Sequence, residues 1–257
     1  MNDIPRNRRD LILHRLEQGQ SVAAATLASE FGVSEDAIRR DLRALAALGL
    51  CRRVYGGALP LSPAATSMAQ RMAHVPDRKT ALARVGATLV QPGELVFLDN
   101  GSSNLALLPF LPADSGVTVA TNSIAIANAV QQRGGLQLLM LGGSVDAHVG
   151  GCIDAIALSM LERLQPDRCF LGACAFSIEQ GASAFHLADA CFKQALLASA
   201  GQSALLLTSE KLQTRAPYRI CASAAIDCYV LEHDAPAACA DALEQRGSLV
   251  LRASPLA

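Results

Sequence analysis

Residues Val33 to Leu42, Val-Ser-Glu-Asp-Ala-Ile-Arg-Arg-Asp-Leu, limit what this chain can fold into more than any other stretch. Ser34 is placed to cap a helix, and Glu35 and Asp36 suit its positive first turn. Ile38, Leu42, Leu45 and Leu48 are spaced four, three and three apart, which predicts one buried face. Arg39, Arg40 and Arg43 fall off that face, and Gly49 ends the helix. Two shorter helices are predicted before it. Arg8 to Leu16 carries apolar Leu11, Ile12 and Leu16 and is stopped by Gly19. Val22 to Phe31 is capped by Ser21 and turns Val22, Leu27 and Phe31 inward. Gly32 supplies the tight turn between the second helix and the third. Beyond them Leu50 to Tyr55 alternates as a strand, and Gly56-Gly57 permits a tight turn.

Three short helices, with a glycine turn ahead of a capped third, predict a helix-turn-helix with a basic wing. The third helix is expected to enter the major groove of double-stranded DNA with its N-terminal residues first. Ser34, Glu35, Arg39, Arg40 and Arg43 are the candidate contacts there, and Arg52 and Arg53 are the candidates on the wing. The competing reading is a small helical bundle whose arginines are solvated, with Arg39 only pairing with Glu35 or Asp36.

Composition supports a divided chain. At 257 residues and 51% apolar content there is enough for two unequal domains and a sizeable core. The net charge of −1 excludes a molecule that is basic throughout. Residues 1–58 nevertheless hold nine arginines against seven acids. The eight cysteines are scattered without a Cys-x-x-Cys pair, which reads as free thiols in a reducing cytoplasm. The charged N-terminus and the lack of an 18-residue apolar run predict neither a secretion signal nor a membrane partner. The expected organisation is a DNA-binding domain over 1–58, a Pro-rich linker over 59–76 and a larger domain over 77–257.

From Asp77 onward the pattern alternates. Short apolar runs at Leu95–Leu98, Val117–Ala120, Leu136–Leu141, Cys169–Leu171, Ala204–Leu207 and Cys228–Leu231 read as strands buried on both faces. Helical stretches lie between them, at 123–132, 155–164 and 187–200 among others. This grammar predicts an α/β domain with a mostly parallel sheet, in which ligands bind beyond the carboxyl ends of the strands. Four successive strands end in small or hydroxyl residues: Asp99 with Gly101, Ser102 and Ser103, then Thr121-Asn122, then Gly142-Gly143, then Gly172. Turns of this kind offer backbone N–H groups to an anion. Asp99 would repel phosphate, so it is expected either to accept from sugar hydroxyls or to hold its loop. Capping chemistry alone also explains any one such turn. No dinucleotide or nucleoside-triphosphate motif occurs, and no cofactor is expected. Only three of the 22 basic residues are lysine, and Lys193 and Lys211 both follow strands, within reach of the same pocket.

The N-terminal motif, with Leu50-Cys51-Arg52-Arg53-Val54-Tyr55-Gly56-Gly57-Ala58, resembles the DeoR-type winged helix of bacterial repressors. Ala37 stands where Thr is usual, and Tyr55 where His is usual. The resemblance continues through Asp99-x-Gly101-x-Ser103, Thr121-Asn122, Leu141-Gly142-Gly143, Phe170-Leu171-Gly172-Ala173, Asp189-Ala190-x-x-Lys193 and Ser209-x-Lys211, which are similar to the DeoR sensor domain. Together these cover nearly the whole chain. The resemblance implies a sensor fold of the ribose-5-phosphate isomerase and CoA-transferase type. It also implies a repressor of a carbohydrate operon, oligomeric as a dimer or tetramer and relieved by a sugar phosphate. Asp189 departs from the usual Glu, Ser103 from Thr, and Thr208 from Asp. The last change removes a carboxylate and puts the usual effector class in question.

The alternative is an active sugar-phosphate isomerase fused to DNA-binding helices. It needs a base near the substrate. Asp99, Asp189 and Glu210 are the candidates, and neither Thr208 nor the shortened Asp189 favours tuned acid–base chemistry. His148, His186 and His233 share no ligand spacing, so no metal site is expected, and they read as surface or loop residues. No residue is assigned a catalytic role.

Overall fold

The computed structural model describes residues 4–17, 22–48, 50–54, 56–60, 71–72 and 74–255. The chain divides into two compact units, residues 1–63 and 64–257. Residues 61–70 and 73 of the expected linker, with Gly19, Ser21, Gly49 and Tyr55, lie outside the described residues, as does the side chain of Arg52.

The smaller unit contains α1 (Ile4–Glu17), β1 (Val22–Ala23), α2 (Ala24–Phe31), α3 (Glu35–Ala47), β2 (Cys51–Val54) and β3 (Gly57–Pro60). Gly32 takes the left-handed conformation, φ 61°, that closes the turn into α3. Ser34 caps α3, its Oγ accepting from the N–H of Ala37 at 3.3 Å. Ile12, Leu16, Leu27, Ile38, Leu42 and Leu45 form the core, with Cys51 and Ala58 of the wing.

Three expectations change in this unit. Val22 and Ala23 are not helical, because they pair antiparallel with Ala58 and Gly57 and add a third strand to the wing. Leu48 is not on the buried face; it lies beyond the last turn of α3 and is 72% exposed. Gly57 is required for close approach and not only for turning. A Cβ there would sit 2.0 Å from the carbonyl oxygen of Val22. The conformational requirement falls on Gly56, at φ 81°.

A buried ion cluster joins α1 to α3. Arg8 Nε donates to Asp41 Oδ2 at 2.7 Å, and Arg9 Nε donates to Asp41 Oδ1 at 2.8 Å. Asp41 is buried, so its charge has left water and depends on these partners. Arg15 similarly ties α1 to Glu30 of α2, at 2.7 Å through Nη1.

The larger unit holds α4 (Pro76–Gly86), β4 (Leu95–Leu98), α5 (Ser102–Leu105), β5 (Thr118–Thr121), α6 (Ile124–Arg133), β6 (Gln137–Met140), β7 (Val145–Asp146), β8 (Gly151–Cys152) and α7 (Ala155–Leu161). It continues through β9 (Arg168–Leu171), β10 (Ala175–Ser177), β11 (Gly181–Ala184), α8 (Leu187–Ser199), β12 (Gln202–Leu207), β13 (Tyr218–Cys221), β14 (Cys228–Leu231), α9 (Ala237–Glu244) and β15 (Leu249–Arg252). Seven strands form one parallel sheet in the order β15-β14-β12-β9-β4-β5-β6.

Strand alternation splits the core into two layers. Phe97, Ala120, Cys169, Leu205 and Tyr229 pack with Leu161 of α7, Phe192 and Leu196 of α8 and Leu243 of α9. Val96, Val119, Phe170, Ala204 and Val230 pack with Leu82 of α4 and with Ile126 and Val130 of α6. Both faces are covered over β4, β5, β9, β12 and β14, which explains their uninterrupted apolar runs. The run at Leu136–Leu141 was expected to be buried in the same way, but β6 is the last strand of the sheet and its four residues are exposed. The chain moves one way from β4, through β5 to β6, and the other way from β9 outward. The connections therefore diverge between β4 and β9, where a parallel sheet leaves a crevice. A small antiparallel sheet, β10-β11-β13, is inserted past the end of β9.

Replacing Asp41 by Ala leaves Arg8 without its partner. The expected result is a loss of about 2–3 kcal/mol from the smaller unit, below the full value of a buried pair because Arg9 is partly exposed. Amide exchange at Ile38 and Leu42 should accelerate on the order of 30-fold or more, while the larger unit keeps its protection.

Candidate functional site

The candidate DNA-facing residues of the smaller unit lie on α3 and the wing. Arg39 is held along the helix by Glu35 at 2.7 Å and Asp36 at 3.4 Å. Both acids and Arg39 remain exposed, so these pairs are screened and can be exchanged for other partners. Arg40 is exposed and donates to the carbonyl of Asp36 at 3.4 Å, and Arg43 and Ser34 are also exposed. Arg39, Leu42, Arg53, Val54, Gly56 and Gly57 line a cleft between α3 and the wing. The geometry thus brings Arg53 to the same cleft as Arg39. Asp41 was not among the expected core residues, although it lies three residues after Ile38 and four before Leu45, on the buried face of α3.

In the larger unit the crevice between β4 and β9 opens into a pocket. Lys193 of α8 reaches the strand ends from one side. Its Nζ lies 2.9 Å from Asp99 Oδ2, 2.6 Å from Asp189 Oδ1 and 2.7 Å from Asn100 Oδ1. Three acceptors match the three protons of an ammonium, and the side chain is buried. Burial works against its charge, but the carboxylates of Asp189 and Asp99 hold its pKa above the usual lysine range. Asp99 is fully buried and also accepts from the N–H of Gly172 at 2.7 Å and of Asn100 at 2.8 Å. Burial pushes its carboxyl pKa up, against the pull of Lys193.

Gly172 is obligatory here. A Cβ would lie 2.5 Å from the carbonyl oxygen of Asn100 and 2.9 Å from Asp99 Oδ2. Thr121 and Asn122 are buried behind the loop. Thr121 Oγ1 donates to the carbonyl of Leu98 at 2.6 Å, and Asn122 Oδ1 accepts from the N–H of Asn100 at 3.2 Å. They hold the β4 loop and do not line the pocket. Gly142 and Gly143 also lie outside the lining. They wrap the start of α7, where Asp154 accepts from the N–H groups of Ser144 at 2.8 Å and Ala157 at 3.0 Å.

The pocket itself is lined by Gly101, Ser102, Ser103, Gly172, Lys193 and Lys211 of the expected set. Arg71, His148, Cys174, His186 and Asp189 join them. The rings of His148 and His186 stack with centroids 5.6 Å apart. Their approach across 38 positions in sequence has no signature in spacing. Among the described residues, Ser103 Oγ is a buried hydroxyl with no hydrogen-bond partner. Such a group is costly unless something fills the pocket beside it. Lys211 Nζ donates to the carbonyl of Ala173 at 3.0 Å. Burial lowers its ammonium pKa, and Arg71 and Lys193 lower it further. Lys79 of α4, clamped to the carbonyls of Arg71 and His74, is pushed down to about 8 by burial and by Lys211 and Arg71. Lys211 and Arg71 thus weaken the charge of Lys79, and Arg71 that of Lys211, with Glu210 offsetting part of the effect at both lysines. Thr208 is buried and donates to Glu210 Oε1 at 3.3 Å, away from the lining, and Glu210 also bonds His74 at 2.7 Å.

Residues 8–63 match the DeoR-like helix-turn-helix domain, and residues 75–233 match the DeoR C terminal sensor domain. The chain is 29% identical over 248 residues to a putative aga operon transcriptional repressor of Escherichia coli, covering 95% of this chain and 92% of that protein. It is 30% identical over 218 residues to the uncharacterized HTH-type transcriptional regulator YgbI of Escherichia coli, covering 81% and 82%. It is 27% identical over 201 residues to the glycerol-3-phosphate regulon repressor of Shigella flexneri, covering 78% and 80%. Among solved structures, ribose 5-phosphate isomerase A of Methanocaldococcus jannaschii aligns with a TM-score of 0.38 at 16% identity, over 53% of this chain and 54% of that one. The sensor-domain match alone spans more than half of the sequence, and the chain belongs to the DeoR family of transcriptional regulators.

Proposed function

We propose that this regulator represses a carbohydrate operon in the cytoplasm and releases its operator when a phosphorylated sugar fills the pocket at the ends of β4 and β9. Residues 1–58 read DNA, 59–76 link, and 77–257 sense. On the recognition surface Arg40 and Arg43 reach bases or phosphates from α3, Arg39 exchanges Glu35 and Asp36 for DNA, and Arg52 and Arg53 hold the backbone at the wing.

The observation that carries the effector reading is the cation group at the pocket. A bound phosphate relieves the repulsion among Arg71, Lys79 and Lys211 and gives Ser103 Oγ an acceptor. Gly101 to Ser103 offer backbone N–H groups beside it. Lys193 supports the reading in a different way from its expected role. Its protons are already taken, so it fixes the β4 loop instead of gripping the ligand. The same cluster disfavours catalysis. Asp99 and Asp189 are both tied to Lys193 and Glu210 to His74, so each of the three candidate bases is already engaged. The ligand acts by binding one arrangement of the protein better than the other.

Arg40→Ala is expected to weaken operator binding by about 10- to 100-fold at fixed salt. Unchanged binding isotherms would remove Arg40 from the interface. Lys211→Met should abolish stabilisation by sugar phosphates in a thermal-shift screen while operator affinity stays at the parental value. Lys193→Met should instead lower the melting temperature of the unliganded protein, because two carboxylates lose their buried partner. The pH dependence has a definite sign. An anion raises the depressed pKa of Lys211, so phosphate binding takes up protons and weakens as pH rises. Calorimetry in buffers of different ionisation enthalpy measures that uptake, and a buffer-independent heat would count against Lys211 as the contact.

A further inference from the structure

The parallel sheet ends differently at its two edges. At one, Arg252 of β15 turns back to donate to the carbonyls of His233 at 3.3 Å and Ala235 at 2.9 Å. A charged residue of this kind blunts a strand edge. At the other edge all four residues of β6 are exposed, although its neighbour β5 is almost wholly buried. The sequence from Gly134 to Val145 contains no charged residue and no proline. Leu138, Leu139 and Met140 are each more than a third exposed, and alternation turns them to both faces of the sheet.

The backbone of β6 is open as well. The N–H groups of Gln137 and Leu141 point inward, to the carbonyls of Val117 at 3.2 Å and Thr121 at 2.8 Å. By the same alternation the N–H and C=O groups of Leu138 and Met140 point outward. The apolar surface continues past the strand. The sulfur of Met160 accepts from the N–H of Gly142 at 3.4 Å, and Ile156 lies one turn earlier on α7 and is 59% exposed. Val145 is exposed beside Ser144, whose N–H is held by the Asp154 cap of that helix.

We propose that β6 is the contact with a second copy of this chain, paired antiparallel across a two-fold axis so that the two sheets run on into one. An antiparallel strand pair is self-complementary, since each copy presents to the other the groups it needs. An uncharged edge suits such a contact, because no charge meets itself across the axis. Six apolar side chains, Leu138, Leu139, Met140, Val145, Ile156 and Met160, are exposed along this edge and would give the pair an apolar centre with the paired backbone and a polar rim around it. The copy also supplies the second recognition helix that paired half-sites require, a clause that rests on the DNA-reading assignment.

Sedimentation equilibrium of the full chain across the micromolar range tests the contact without DNA or effector, so it stands or falls apart from both. Met140→Pro removes an outward N–H and no bond to β5. Ile156→Glu sets like charges against each other across the interface. The parent should be dimeric or a higher even assembly. Each variant should weaken association at least about tenfold with circular dichroism unchanged, and Leu249→Glu at the opposite edge should associate like the parent. A monomeric parent overturns the proposal, as does parental association of Ile156→Glu. That second variant decides the matter even where Met140→Pro fails to fold, because its side chain is exposed on a helix surface. Dissociation by Leu249→Glu would move the contact to β15 and also overturn it.

Discussion

Lys193 meets Asp99, Asp189 and Asn100 where β4, β9 and α8 converge, and the pocket takes its shape from that meeting. The ammonium has left water, so it depends on two carboxylates; each carboxylate in turn depends on it. Asp99 then passes the constraint to the backbone through the N–H groups of Gly172 and Asn100. Asn104 Nδ2 adds bonds to the carbonyls of Asp99 and Phe170. Two strand-end loops from opposite sides of the sheet's divergence are thereby locked to one helix. Gly172 is part of the same device, since any side chain there would occupy the space where the loops touch.

The smaller unit uses the same physics on its own scale. Asp41 is a buried acid on the recognition helix, and two arginines of α1 surround it. The angle at which α3 leaves the core is set by this cluster together with the apolar seam of Ile38, Leu42 and Leu45. The exposed arginines of α3 make only local contacts along the helix, Arg39 with Glu35 and Asp36 and Arg40 with the carbonyl of Asp36. Each unit therefore holds its architecture with a buried ion cluster and leaves other cations at its surface or its pocket.

Much of this was legible in the sequence. Apolar runs located six of the seven strands of the parallel sheet, five because a strand covered on both faces reads as an unbroken apolar run, and β6 because its run is equally apolar although the sheet leaves it exposed. They missed β15, which is only partly buried, and the β10-β11-β13 sheet, whose Gly181-Ala182-Ser183-Ala184 carries no apolar contrast. Val22 and Ala23 fit the helical pattern, but they pair as a strand with residues 36 and 34 positions away. Leu48 obeyed the helical spacing, but the helix had already ended. At the pocket, strand-end chemistry found Gly101 to Ser103, Gly172 and both lysines. It did not separate lining residues from those behind them, Thr121, Asn122 and Asp99, because burial within a loop leaves no periodic trace. Arg71, His148 and His186 arrive from distant segments, and only the fold brings them together.

The saturation of Lys193 has a consequence for how such a protein diversifies. A cation that both held the loops and gripped the ligand could not change without unfolding the site. Under the proposed function the two duties fall on different residues. The rim formed by Arg71, His148, His186 and Lys211 is thus open to substitution while the Lys193 cluster keeps the loops in place. A lineage built on this plan can exchange the molecule it recognises and keep the machinery that reports it.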